Sequence, residues 1–212
     1  MAESAYMYAD SASSSARAQQ EEKEEGVTRP TLRTERLVLE PLTVVHTEQL
    51  VELDADPEVL RFIFGRGLTR AEVVDTWMPK RTRADADARG IGYWVGHDAG
   101  GTFLGWWSLA VVDDDPDSAE LGYRLRRDAW GHGYATEGAR ALLAHAFETV
   151  GLRRVCAETM AVNAGSRAVL EKLGLSHVGT RVEQWDDPLP DAALGEVDYE
   201  IDAAAYRAPR QS

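Results

Sequence analysis

Hydrophobic and polar positions change rhythm along this chain, and each change marks an element. Residues 36–42 alternate in two-residue steps and predict a strand that stops near Pro41. Residues 46–54 shift to helical spacing. Asp56-Pro57 then starts a further helical turn through Val59, Leu60, Phe62 and Ile63, which Gly65 and Gly67 break. Thr69 is a suitable cap for a helix carrying Val73, Val74, Trp77 and Met78, and Pro79 bends that helix or ends its first part. Two alternating runs, residues 91–97 and 102–112, flank the turn Asp98-Ala99-Gly100-Gly101 and read as a hairpin.

A third alternating run, residues 120–126, places Leu121, Tyr123 and Leu125 on one face. The period changes abruptly after Gly131 and Gly133. Ala135, Ala139, Leu142, Leu143, Ala146 and Phe147 follow at helical spacing, closed by Gly151. Residues 153–160 alternate again, with Val155, Ala157 and Thr159 together. Residues 163–173 are helical and end at Gly174, and residues 175–185 and 196–201 supply two last strands around the loop 186–195. Strands joined by short turns pair antiparallel, whereas the strand–helix–strand unit after Gly131 predicts a parallel crossover. The expected fold is therefore a mixed α/β sheet. Residues 1–29 lack periodicity and are rich in Ser, Ala, Gln and Glu, so they read as a disordered acidic tail. One domain over residues 30–207 and a short tail over 208–212 follow.

Composition narrows the function. An apolar fraction of 44% suits a folded core, and no run approaches the roughly 20 apolar residues of a membrane span. The N-terminus has no apolar stretch of the secretory kind, and Cys156 is the single cysteine, so neither a disulfide framework nor a cysteine metal cluster is expected. These features point to a cytoplasmic protein without a membrane partner. The net charge of −13 argues against sequence-independent nucleic-acid binding, since phosphates repel such a surface. The same charge either attracts a cationic amine or serves only solubility. The five histidines are scattered, with no HExxH pair, so no metal site is expected.

The glycine pair carries the first chemical signal. A glycine loop opening a helix aims free backbone N–H groups and the positive end of the helix dipole at one small volume, which suits a phosphate. A plain strand-to-helix turn has the same sequence appearance, and the second motif decides between them.

Trp130 to Glu137, W-G-H-G-Y-A-T-E, resembles the pyrophosphate loop of the GNAT-superfamily acetyltransferases, whose general pattern is Gln/Arg-x-x-Gly-x-Gly/Ala. Asn163 to Leu175, N-A-G-S-R-A-V-L-E-K-L-G-L, resembles that superfamily's second coenzyme A motif. The opening L-R-T-E-R-L-V-L-E-P-L looks like the start of the branch with the ribosomal-protein-alanine N-acetyltransferases. The likeness covers residues 31–206. Trp130 stands where the general pattern has Gln or Arg, which suits that branch, and His132 stands where Lys or Arg is usual.

The resemblance implies the fold, a mostly antiparallel sheet with one splayed parallel pair. It also implies the activity, transfer of an acetyl group from acetyl-CoA directly to a primary amine of a small molecule or a protein N-terminus. It requires no metal and leaves room for a homodimer. The backbone from Gly131 through His132, Gly133 and Tyr134 to Ala135 would hold the pyrophosphate. A backbone N–H near Leu125 would face the thioester carbonyl, and Asn163 would contact the coenzyme or only cap its helix. Ser166 is the candidate acid for the leaving thiolate, its alternative being a first-turn serine bonded to local backbone. The base is Glu120, then Glu183, with Glu158 on the partner strand. Each can instead be a salt-bridged surface carboxylate. Glu137 reads as structural, favoured by the helix dipole. Cys156 has no partnered histidine nearby in sequence. The acceptor pocket would be lined by the early helices, Trp106 or Trp107 and the loop 185–194, where Asp186 and Asp187 either attract an amine or form a solvated turn. A catalytically silent coenzyme A-binding protein on the same fold is the competing reading.

Overall fold

The computed structural model describes residues 29–113, 115–182, 189 and 191–208. Among these, eight strands form one sheet: β1 (Leu32–Arg33), β2 (Leu37–Pro41), β3 (Gly92–Asp98), β4 (Phe103–Val111), β5 (Ser118–Leu125), β6 (Arg154–Met160), β7 (Ser176–Arg181) and β8 (Glu196–Asp202). Their spatial order is β1-β2-β3-β4-β5-β6-β8-β7. Every neighbouring pair is antiparallel except β5 and β6, which are parallel and joined through a helix. The mixed sheet and its one crossover are thus as the hydrophobic pattern predicts.

The helices cover both faces. One face carries α1 (Thr47–Ala55) and a helical segment whose wide turn Glu72–Trp77 leads into α2 (Met78–Arg81); the short α3 (Ala84–Ala88) follows in the chain and buries Ala86 in the opposite core. The other carries α4 (Tyr134–Ala144), prolonged by a wide turn His145–Val150, and α5 (Ala164–Leu173), while α6 (Ala203–Arg207) closes the chain. Two hydrophobic clusters result. Leu50, Leu53, Leu60, Val73, Met78 and Trp106 lie under α1 and α2, and Trp107, Leu121, Ala139, Leu142, Leu143 and Val155 lie under α4. Strand β4 is buried on both faces, so its two adjacent tryptophans serve different cores: Trp106 faces one and Trp107 the other.

Two local departures have physical reasons. Residues 56–63 form linked turns and no helix, because the amides of Ile63, Phe64 and Gly65 all converge on the Leu60 carbonyl and the ladder cannot propagate. Pro79 sits inside the first turn of α2, where a missing N–H costs nothing; the irregularity precedes it, as the Met78 amide reaches back to Val73. Strand β7 covers Ser176–Arg181, and residues 183–185 of the expected strand lie outside the described residues. Glu183, Asp186 and Asp187 lie outside the described residues. At the other end Arg29 is folded in: its guanidinium is buried, pairs with Asp87 and reaches the carbonyls of Tyr93 and Leu42.

Candidate functional site

The parallel pair is short. Ser118, Ala119 and Glu120 face Arg154, Val155 and Cys156, and there the ladder stops. Beyond Glu120, β5 stays on β4 as far as Leu125, while β6 stays on β8 as far as Met160. The two strands therefore fork, and their facing edges carry backbone groups with no strand between them. Such an edge accepts an extended chain by backbone hydrogen bonding. Leu125 lies at the open end of the fork, buried, with its carbonyl accepting the Trp130 indole N–H at 2.9 Å. The tryptophan at the position where the family pattern has Gln or Arg thus ties the loop to the end of the fork strand.

The loop itself is built on two left-handed glycines. Gly131 has φ 76° and Gly133, the N-cap of α4, has φ 82°. The first bond of the helix runs from the Glu137 N–H to the Gly133 carbonyl, so the N–H groups of Tyr134, Ala135 and Thr136 precede the ladder. A Cβ on Gly131 would meet nothing within 4 Å. The space above the loop is open to a ligand, and the left-handed backbone excludes a side chain from it. These features fit a bound pyrophosphate.

Long-range contacts that the sequence pattern does not disclose fix the loop. Glu137 accepts hydrogen bonds from the Arg36 backbone N–H at 2.9 Å, Arg36 Nε at 2.7 Å and the Thr34 hydroxyl. Arg36 also donates to the His132 carbonyl at 3.0 Å and lies over the Tyr134 ring at 4.7 Å. Burial pushes the Glu137 carboxyl up, but the Thr34 and Arg36 hydrogen bonds outweigh it and hold the group below its usual range. On the inner side, the Trp107 indole donates to the Ala135 carbonyl at 3.1 Å, and a Cβ on Gly138 would stand 2.5 Å from the same ring. Gly138 sets how closely α4 approaches the sheet.

Glu120 stands at the fork point, opposite Cys156. It lines a concavity of about 290 Å³ with Cys156, Glu158, Gly179, Asp198 and Glu200. Its side chain reaches solvent, but the concave walls strip hydration from the charged form. That is the largest cause of an upward pKa shift, to which Glu158 adds and which Arg181 opposes. Glu158 is bound to Arg181 at 2.6 Å, which fits a surface ion pair. Burial, then the charge of Glu120, pushes the Cys156 thiol up to about 11, far from the thiolate that a nucleophile needs.

Across the fork, Asn163 caps α5, its side-chain oxygen accepting the Ser166 N–H at 3.1 Å. The hydroxyl of Tyr123, on β5, lies 3.0 Å from Ser166 Oγ and donates to the Ser166 carbonyl at 3.2 Å. Burial pushes the Tyr123 phenol up to about 12, against the smaller effect of the Ser166 hydrogen bond. Ser166 is therefore linked to the fork strand rather than only to its own helix turn. Glu120 and Tyr123 differ by an odd number of positions on β5, so they project to opposite faces, with the fork between them.

The face bearing Glu120 also bears Trp106 and Arg124, under α1 and α2. The expected tryptophan of the acceptor side is thus Trp106, whereas Trp107 belongs to the α4 core. Asp54, fully buried, pairs there with Arg81 at 2.8 Å and Arg124 at 2.6 Å. A second concavity of about 770 Å³ lies beside the loop, lined by Glu52, Asp56, Arg126, Arg127 and Trp130. No group of three or more potential metal ligands occurs among the described residues.

The family model for the acetyltransferase (GNAT) domain matches residues 36–176. The chain belongs to the GNAT acetyltransferase family. A curated relative, the FsC-acetyl coenzyme A-N(2)-transacetylase of Aspergillus fumigatus, is 43% identical over 182 residues, covering 81% of this chain and 76% of that protein. Solved structures with the same fold include spermidine N-acetyltransferase from Vibrio cholerae in complex with CoA and spermine. It has a TM-score of 0.69 at 17% identity, covering 82% of this chain and 99% of that one. The ribosomal L7/L12 alpha-N-protein acetyltransferase RimL in complex with coenzyme A has a TM-score of 0.69 at 16% identity, covering 83% of this chain and 99% of that one. The GNAT assignment implied by the two glycine-loop and Asn-x-x-Ser motifs is therefore borne out.

Proposed function

We propose that this GNAT protein transfers an acetyl group from acetyl-CoA directly to a primary amine of a small molecule, with a protein N-terminal amine as the second acceptor class. The observation that carries the reading is the fork: a glycine loop at its open end, Glu120 at its closed end and Ser166 across it. The small-molecule preference is supported by the 43%-identical relative, whose name specifies an N(2) nitrogen and acetyl coenzyme A.

In this reading the N–H groups from Gly131 to Ala135 hold the pyrophosphate, and the edge of β5 near Leu125 orients the thioester carbonyl. Acetyl-CoA supplies the activated acyl group. Glu120 accepts the proton that the ammonium of the acceptor must lose before its nitrogen can attack. A carboxylate shifted upward is better matched to that task than an ordinary one. Ser166 donates its hydroxyl proton toward the leaving sulfur and regains one from solvent, while Tyr123, whose hydroxyl donates to the Ser166 carbonyl and lies 3.0 Å from Ser166 Oγ, positions that hydroxyl. Asn163 holds the turn that presents Ser166. Glu183 is the alternative base.

Acetyl-CoA binding measured by calorimetry, followed by free-thiol release over a panel of amines, tests the proposal. Micromolar binding with amine-dependent thiol release is expected. Binding without turnover on any amine would favour a silent coenzyme A-binding protein.

A further inference from the structure

The Asp54 cluster has one charge too many. Two guanidinium groups meet a single carboxylate, and the side-chain exposures are 0% for Asp54, 2% for Arg81 and 9% for Arg124. A buried uncompensated charge is among the costliest features a fold can keep. The cluster also leaves donors unmatched: Arg81 Nη1, Arg124 Nε and Trp106 Nε1 are buried and have no hydrogen-bond partner. All three belong to one arrangement. The guanidinium carbons of Arg81 and Arg124 lie 5.4 Å and 5.0 Å from the Trp106 ring centroid, and the half-buried Tyr93 ring lies 5.2 Å from it.

Every unmatched group is a donor and the surplus charge is positive. The complementary ligand group is an acceptor-only anion, and a carboxylate fits. The cluster's position says whose carboxylate it is. Arg124 lies four residues from Glu120 on the same face of the fork strand. Gly122 lies between them, where a Cβ would come 2.7 Å from Ser108 Oγ. A molecule extended along this face presents one end to Glu120 and the other to Arg124.

We propose that Arg81, Arg124 and Trp106 form a receptor for the carboxylate of the acceptor, so that the acceptor is an amino acid-like molecule carrying both a primary amine and a carboxylate. This rests on the acetyltransferase reading and adds the acceptor's second functional group.

The test is acetyl transfer to matched pairs: L-ornithine against putrescine, L-lysine against cadaverine and against lysine methyl ester. A hydrogen bond to a charged partner predicts a kcat/KM roughly 10- to 100-fold higher for the carboxylate-bearing member. In Arg124→Met the ratio should fall toward one. This variant leaves Asp54 and Arg81 balanced in charge but removes the donor to Asp54 Oδ1, so Tm falls in either case; a purely structural arginine would leave the ratio alone. Trp106→Phe keeps the aromatic ring, deletes one donor and should lower the ratio several-fold; it serves if Arg124→Met does not fold. Equal or better turnover of the carboxylate-free partners by the wild type overturns the proposal, as does an unchanged ratio in both variants. If no amine of any kind releases thiol, the acetyltransferase reading fails instead. Calorimetry of L-ornithine against putrescine on the CoA-loaded protein then decides the receptor: selective binding of ornithine supports it and equal or absent binding overturns it.

Discussion

Replacing Gly138 by alanine should destabilise the protein, although helix propensity alone argues the reverse. Glycine inside a helix costs roughly 0.5–1 kcal/mol relative to alanine, so a freely exposed Gly138 would gain that much on substitution. Gly138 is buried against Trp107, however, and its added Cβ would stand 2.5 Å and 2.6 Å from ring atoms of a side chain with no exposed surface. Carbon atoms rest about 3.5–4.0 Å apart, so α4 or the indole must move by roughly 1 Å. Overpacking of this kind costs about 1–3 kcal/mol, and loss of the Trp107–Ala135 hydrogen bond adds about 1 kcal/mol. After the propensity gain, a net loss of about 1–3 kcal/mol remains, which for a chain of this size lowers Tm by roughly 2–12 °C. The function should suffer too, because the displaced end of α4 is the one that opens at Gly133. A shift of about 1 Å in a positioning element can cost up to about 100-fold. Thermal denaturation and acetyl-CoA calorimetry on the same preparation measure both effects. A G138A protein with raised Tm and unchanged affinity would refute the claim that Gly138 sets the loop's seat on the sheet.

The other substitutions separate binding, proton transfer and proton donation. Gly131→Ala meets no protein atom but forces a left-handed alanine, so it should cost about 1–2 kcal/mol of stability while acetyl-CoA affinity falls at least tenfold; intact affinity would remove the loop from the coenzyme site. Glu120→Gln should lower kcat/KM by about 10²–10⁴ and abolish the acid limb of its pH profile. With its folded pKa raised, Glu120 stabilises the fold only while protonated, and that contribution is lost as pH rises from the unfolded value through the folded one. The glutamine variant should thus be at least as stable as wild type near pH 7, and a retained acid limb would shift the role to another carboxylate. Ser166→Ala and Tyr123→Phe should each reduce kcat more than affinity, and the double variant should lose little more than the worse single one; additive losses would mean the two hydroxyls act separately. Asp54→Asn leaves two buried guanidiniums facing a neutral amide and should cost about 3–5 kcal/mol, read by denaturant titration.

The elements legible in the sequence are those whose signal is local. The switch from alternation to helical spacing across Gly131 and Gly133 located β5, the loop and α4, and Asn163 with Ser166 marked the start of α5. The short loops around residues 98–101 and the helix between β5 and β6 together specified the one parallel pair. What the pattern did not disclose depends on contacts between distant segments. Arg36 reaches Glu137 across 101 residues, Arg124 reaches Asp54 across 70, and Tyr123 reaches Ser166 across 43. Each is an ordinary polar residue until the sheet brings it to its partner. Gly138 is similar: within a helical repeat it is only a weak helix former, and its role emerges when the Trp107 ring is placed opposite it. Residues 56–63 misled for the opposite reason, since their local helical spacing is overridden by three amides sharing one carbonyl.

A crystal structure of the protein with coenzyme A bound tests the central claim most directly. The account predicts the pyrophosphate against the N–H groups of Gly131 to Ala135. It places the pantetheine arm inside the fork, between the edges of β5 beyond Glu120 and β6 beyond Cys156, with the sulfur between Glu120 and Ser166. Coenzyme A bound outside the fork, or a β5–β6 ladder closed beyond Glu120 and Cys156, would contradict it.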